Sequence, residues 1–195
     1  SSANLHFRSL KNRLNFYGIK SKHFLVSSSL GDKNTQTLNL ISVPSIFFGS
    51  QIKPGSLSLK FYVSGTLAAE AKDLKRNGEI IQTGPVGSTG SGSVAGVALY
   101  DEGFLLLTGS WNLSPAMFPM ISGSGTSVNP KWIYFGAGAN DDVSTSTAGV
   151  AFISASSHLS FKGTTETQVM TMFAHARRGQ TNYSNNPTFL TYGED

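Results

Sequence analysis

The sequence predicts a mainly β protein: an antiparallel β-sandwich or distorted barrel with long Gly/Ser-rich loops and extended terminal arms. Three observations carry this prediction. Ser56 to Val63 alternates strictly, with Leu57, Leu59, Phe61 and Val63 on one side and Ser56, Ser58, Lys60 and Tyr62 on the other. That period of two belongs to a strand whose one face covers a core. Short apolar runs then recur between turn signals such as Lys53-Pro54-Gly55, Asn77-Gly78 and Asp101-Glu102-Gly103, the pattern of many short antiparallel strands. Finally, only 13% of the 195 residues are charged, while Ser and Thr number 44 and Gly 21. This composition suits long polar turns, and the supply of Leu, Ile, Val and Phe excludes a disordered chain.

Residues 1–22 read as a basic N-terminal arm, with Phe7, Leu10 and Leu14 spaced for a short helix that ends at Gly18. A β-rich domain over 23–178 follows, and 179–195 forms a polar tail expected to continue into a further segment. Within the domain, His23 to Leu30 and Thr37 to Val43 are strands around the turn Gly31-Asp32-Lys33-Asn34. Pro44 then interrupts the ladder, because it has no amide hydrogen. After the alternating strand, Leu67 to Lys72 is Ala-rich but short and turn-bounded, which favours a strand over a helix. Asn77-Gly78 leads into Glu79 to Gln82.

Gly84 to Ser93 reads as a flexible loop with too little side chain to pack, and it lacks the Gly-Lys-Ser/Thr of a phosphate-binding loop. Val94 to Tyr100 and Phe104 to Thr108 form an apolar hairpin. Trp111 to Asn129 is irregular. Lys131 to Phe135, Gly149 to Ser154, His158 to Phe161 and Gln168 to His175 complete a set of ten or eleven strands.

The net charge of +4 has a location. Arg8, Lys11, Arg13, Lys20 and Lys22 precede the first acid, Asp32, and the rest of the chain holds ten Lys and Arg against eleven Asp and Glu. The positive charge therefore belongs to the arm, which could meet nucleic acid, an acidic neighbour subunit or nothing, nucleic acid being the less expected partner. The absence of cysteine excludes disulfides and thiol chemistry. No apolar run approaches a membrane span, and no signal-peptide pattern opens the chain.

Catalytic chemistry finds little purchase. His6, His23, His158 and His175 have no zinc-ligand spacing. Asp141-Asp142 lacks the alternating oxygen ligands of a calcium loop. Glu70, Asp73 and Glu79 are near enough for a carboxylate pair, but salt bridges with Lys72, Lys75 and Arg76 are the simpler use of them. No enzyme, cofactor or metal is expected.

Several segments carry a family resemblance: Ser45-Ile46-Phe47-Phe48-Gly49-Ser50, Gly55-Ser56-Leu57-Ser58-Leu59-Lys60-Phe61-Tyr62, Asn77-Gly78-Glu79, Val97 through Phe104, Met172-Phe173-Ala174-His175-Ala176 and Ser184 through Phe189. Over roughly 45–189 the chain resembles virion structural proteins of tailed bacteriophages, especially those encoded near tail or baseplate components. The resemblance implies a multi-copy virion component of the tail, baseplate or neck, a homo-oligomer in contact with other virion proteins. It carries over no functional residues. The candidate interface residues are Leu5, Phe7, Arg8, Lys11, Arg13, Phe16 and Tyr17, on an arm expected to cross onto an adjacent subunit, together with Trp111 and Phe118. The alternative is a carbohydrate- or receptor-binding sandwich of a phage tail, with Trp111, Trp132, Tyr134 and Tyr100 as ring-stacking residues and a glycan as partner.

Overall fold

The computed structural model describes residues 2–119, 127–136 and 155–175. The chain divides into two compact units, Ser1–Thr165 and Glu166–Asp195. The first is built on a curled, seven-stranded, wholly antiparallel half-barrel sheet. In chain order its strands are β1 (Asn39–Ser42), β2 (Ser58–Val63), β3 (Thr66–Lys72), β4 (Glu79–Gly84), β5 (Val94–Leu99), β6 (Phe104–Leu107) and β7 (Ala155–Ser160). Strands β2 to β6 form a continuous meander. β1 joins it on the far side of β6 and β7 on the far side of β2, giving the order β7-β2-β3-β4-β5-β6-β1.

The curl has a local cause. Register shifts interrupt three successive strand pairs, leaving Ala68, Thr83 and Ala95 as extra residues between β2 and β3, β3 and β4, and β4 and β5. Each bulge bends its strand and increases the local right-handed twist. The bulge at Ala95 also resets the alternation of β5, so that Ala95 and Ala98 face one side while Val97 and Leu99 face the other.

One face of the sheet is packed over its whole width, and the other is covered at β5 and β6. On the first, Leu59, Phe61, Ala69, Ala71, Ile80, Leu105 and Leu107 pack with Phe48, Ile52, Trp132 and Phe135. The alternation that predicted β2 therefore holds in full: Leu59, Phe61 and Val63 are buried and Ser58, Lys60 and Tyr62 are not. On the second face, Val97, Leu99 and Leu106 meet Leu10, Leu14, Tyr17, Phe24 and Val26. Strands β5 and β6 are apolar on both sides because both sides are covered.

The short helix expected in the N-terminal region forms, but it packs on the chain's own sheet instead of extending as an arm. This helix is α1 (Ser2–Phe16), continued by a 3-10 turn, Tyr17–Ile19. Leu10, Leu14 and Tyr17 stand at i, i+4 and i+7 on one stripe, and that stripe is buried against the chain's own sheet. Asn15 Oδ1 accepts from the Val26 amide at 3.1 Å, which fastens the helix end to the segment that follows. Leu10, Leu14 and Tyr17 are thus core residues at home.

Three strand predictions also change. His23 to Leu30 holds only the small ladder Ser27–Ser28 with Gly31–Asp32. Phe24 and Val26 instead turn inward under α1. Lys131 to Phe135 contains the 3-10 turn Trp132–Tyr134, which inserts the Trp132 ring into the core. Gln168 to His175 belongs to the second unit, and its residues are exposed and outside any helix or ladder. The expected strand Gly149 to Ser154 and the tail 179–195 lie outside the described residues.

Because Leu14 is fully buried and Lys11 is exposed, Leu14→Ala should lower unfolding stability by about 2–5 kcal/mol. Lys11→Ala should change it by less than about 0.5 kcal/mol. Urea unfolding at a dilution where the chain is monomeric checks both. Equal, negligible effects would mean that α1 does not pack on its own sheet.

Candidate interaction surface

Polar side chains inside the first unit gather at three nodes, each tying distant parts of the chain together. The first is Gln82 on β4, about 1% exposed. Its Oε1 accepts from Trp111 Nε1 at 2.8 Å and from Trp132 Nε1 at 2.9 Å. Its Nε2 donates to Ser88 Oγ at 3.1 Å and to the Thr89 carbonyl at 2.9 Å. A primary amide offers two acceptor sites and two N–H donors, and all four are used.

This node corrects the picture of Gly84 to Ser93 as a loop that cannot pack. The loop is hydrogen-bonded to Gln82, and Gly90 lies so close to the Trp111 indole that a Cβ there would run into the ring. The small residues make close backbone approach to an aromatic ring possible.

The second node is Asp73, also about 1% exposed. Its Oδ2 accepts from the Gly55 amide at 2.6 Å and from the Tyr100 hydroxyl at 2.7 Å, and its Oδ1 accepts from the Leu57 amide at 3.0 Å. Burial first, then the hydrogen bond to Asp73 and its charge, pushes the Tyr100 phenol well above its ordinary range. The third is Glu79, which accepts from Ser21 Oγ at 2.5 Å and Lys75 Nζ at 2.7 Å. Burial raises its pKa, but those two hydrogen bonds and the Lys75 and His23 charges outweigh burial and hold it below the usual carboxylate value. Glu70 pairs with Lys72 at 3.1 Å and Lys60 at 3.9 Å.

Ion pairing therefore accounts for Glu70 and Glu79, whereas Asp73 binds backbone amides and Tyr100. Glu70, Asp73 and Glu79 thus each hold separate partners. Burial holds the half-buried His23 imidazole below its ordinary value. No group of three or more potential metal-ligating side chains occurs among the described residues. No helix among them is long and apolar enough to cross a membrane. Asp141, Asp142 and the His6 side chain lie outside the described set.

Comparison with protein-family models, curated proteins and solved structures returns no match.

The candidate interface residues separate into distinct environments. Leu5, Phe7 and Arg8 lie on α1 and Phe118 in the ladder with Ser127–Val128, but their side chains are outside the described set. Lys11 is exposed and Phe16 is 60% exposed. Arg13 pairs with Glu102 and lies over the rings of Phe16 and Tyr17. Tyr17 is buried, its hydroxyl 3.2 Å from Asp101 Oδ2 and 3.3 Å from Glu102 Oε1.

Of the ring-stacking set, Trp132 and Tyr100 are buried with their polar atoms engaged. Trp111 is half-buried against Gly90, and Tyr134 is half-buried against the core. Among the described residues, an exposed apolar run falls on a segment expected to be a strand: Val169, Met170, Met172 and Phe173, at 85, 83, 83 and 93% exposure. Its signal was visible as an apolar run, but periodicity does not tell whether such a run is covered by its own chain.

Two predictions follow from these nodes. Gln82→Leu leaves two indole N–H groups without their acceptor, one of them on a fully buried ring. It should destabilise the fold by about 1–3 kcal/mol, with altered tryptophan fluorescence in the folded state. Urea unfolding followed by fluorescence measures both.

For Tyr17, burial first, then the charges of Glu102 and Asp101, pushes the phenol up to about 12 from its ordinary 10.0. The folded state therefore keeps a proton that the unfolded chain releases. This contribution is fully present below pH 10.0 and is lost as pH rises towards about 12. Unfolding free energy should fall across that window, less steeply in Tyr17→Phe, as measured by denaturant titration at stepped pH.

Proposed function

We propose that this chain is a non-catalytic structural subunit of a bacteriophage virion, in the tail, baseplate or neck, and that it acts through contacts between subunits. The observation that carries the subunit-contact reading is the run Val169 to Phe173, whose four large apolar side chains are more than four-fifths exposed. Contiguous exposed apolar residues mark surfaces that a partner covers, and burying each side chain of this size is worth about 1.5–3 kcal/mol. The sheet supplies a complementary feature. β1 and β7 are its edges, so each leaves one row of backbone groups unpaired within the sheet. Such an edge accepts an added strand from another chain.

The placement in a virion rests on the resemblance of the segments between 45 and 189 to tailed-phage structural proteins. The low charge content is in keeping with a surface largely covered by neighbours.

Sedimentation velocity of the full chain over a range of concentrations tests the contact. Discrete oligomers are expected, and Met170→Asp combined with Phe173→Asp should shift them to monomer while preserving the thermal melt of the first unit. A wild-type chain that stays monomeric throughout would overturn the reading. Multiple copies of the chain in purified particles are the expected result of quantitative mass spectrometry, and their absence would remove the virion assignment.

A further inference from the structure

We propose a second, separate site: an oxyanion-binding cleft that takes a phosphate or sulfate group, formed by Lys53, Arg76 and Lys162. The three cations come from three different segments and line one cleft of about 410 Å³ with Pro54, Gly55 and Ser56. None of the three forms an ion pair among the described residues. Four other basic residues of the first unit are paired. Lys60 and Lys72 share Glu70, Lys75 meets Glu79, and Arg13 meets Glu102. The nearby carboxylate, Asp73, is turned inward and saturated by two backbone amides and the Tyr100 hydroxyl. The cleft thus gathers three positive charges without a counter-charge in its lining.

Backbone structure holds these cations together. Lys53 N donates to the Lys162 carbonyl at 2.8 Å. Ser56 Oγ donates to the Lys53 carbonyl at 2.7 Å and accepts from Lys162 N at 2.9 Å, so one hydroxyl links the two lysine backbones. The ladder Gln51–Ile52 with Gly163–Thr164 runs directly beside them. Arg76 is held in the left-handed region at φ 56°, an unfavourable conformation for a residue with a side chain. Its guanidinium stem lies across Gly55, itself at φ +85°, where a Cβ would fall 2.8 Å from Arg76 Nε. An arginine laid over Gly55 and two lysines whose backbones are hydrogen-bonded in register bring the three cations to one cleft.

The lining narrows the ligand class. A guanidinium fork and two ammonium groups match a tetrahedral oxyanion with several acceptor oxygens. No aromatic ring lines this cleft, so it has no platform for stacking a nucleobase. The ligand is accordingly recognised by its charged ester group.

The test titrates the full-length chain with inorganic phosphate, with sulfate and with chloride at matched ionic strength, followed by amide chemical shifts. Saturable shifts at Lys53, Gly55, Arg76 and Lys162 are expected with phosphate, sulfate or both, and the stronger of the two identifies the ester class. Lys53→Gln with Lys162→Gln should weaken binding by about tenfold or more, the effect of losing roughly one charge-assisted hydrogen bond. Arg76→Gly should also lose binding, yet melt at or above the wild-type temperature, since glycine accepts the left-handed backbone. Equal shifts with chloride, or unchanged titrations in both variants, would overturn the site.

Discussion

The first unit depends on a satisfied amide in its interior. Gln82 sits on the middle strand of the sheet, and its four hydrogen bonds reach a loop on one side and two indoles on the other. Burying an amide without partners costs more than most single apolar contacts return. The sequence around it must therefore bring Ser88, Thr89, Trp111 and Trp132 to the same place. The glycine-rich loop can do so because its backbone closes tightly onto the Trp111 ring. The 3-10 turn at Trp132–Tyr134 does so by directing a fully buried indole inward.

The second dependence is between the sheet and α1. β5 and β6 are apolar on both faces, and a sheet of this kind needs a layer on each side. The core under Trp132 and Phe135 supplies one layer, and the helix with Phe24 and Val26 supplies the other. The Arg13–Glu102 pair and the Tyr17 hydroxyl at Asp101 and Glu102 join the helix to the β5–β6 turn. The basic character of the N-terminal region is thereby partly neutralised by the fold itself. The proposed contact surfaces are accordingly not the helix stripe but the exposed apolar run in the second unit and the basic cleft of the first.

Both surfaces are in keeping with the proposed assembly role. An assembly subunit needs adhesive apolar segments and unpaired strand edges, and a fixed cationic cleft adds a place where charge is recognised in addition to shape. Neither surface requires a reaction centre. The buried carboxylate and phenol of Asp73 and Tyr100 hold a turn closed, and the Glu79 node anchors Ser21 and Lys75.

Sequence patterns that depend only on neighbours along the chain were legible. The alternation of Ser56 to Val63 identified β2 and its buried face, starting two residues before the observed strand, and the turn signals at Gly55, Gly78 and Gly103 marked strand ends. Leu67 to Lys72 was correctly read as a strand from its length and flanks. Where the chain's fate is decided by distant partners, local pattern was silent or misleading. The apolar residues of the N-terminal region looked like an arm for a neighbour, because spacing shows a stripe but not what covers it. Trp132 looked like a strand residue, because the acceptor that draws it inward lies on β4.

By itself, then, the sequence determined a mainly β chain, the existence and phase of its best strands, and a basic N-terminal segment. Those properties follow from side-chain period and turn chemistry within a few residues. The tertiary structure alone decided that the sheet curls at three bulges, that α1 covers the second face of β5 and β6, and that Lys53, Arg76 and Lys162 meet in one cleft. The net charge of the domain gave no hint of that cleft, because a sum over residues carries no position. Only the folded register places like charges side by side and turns the nearby acid away.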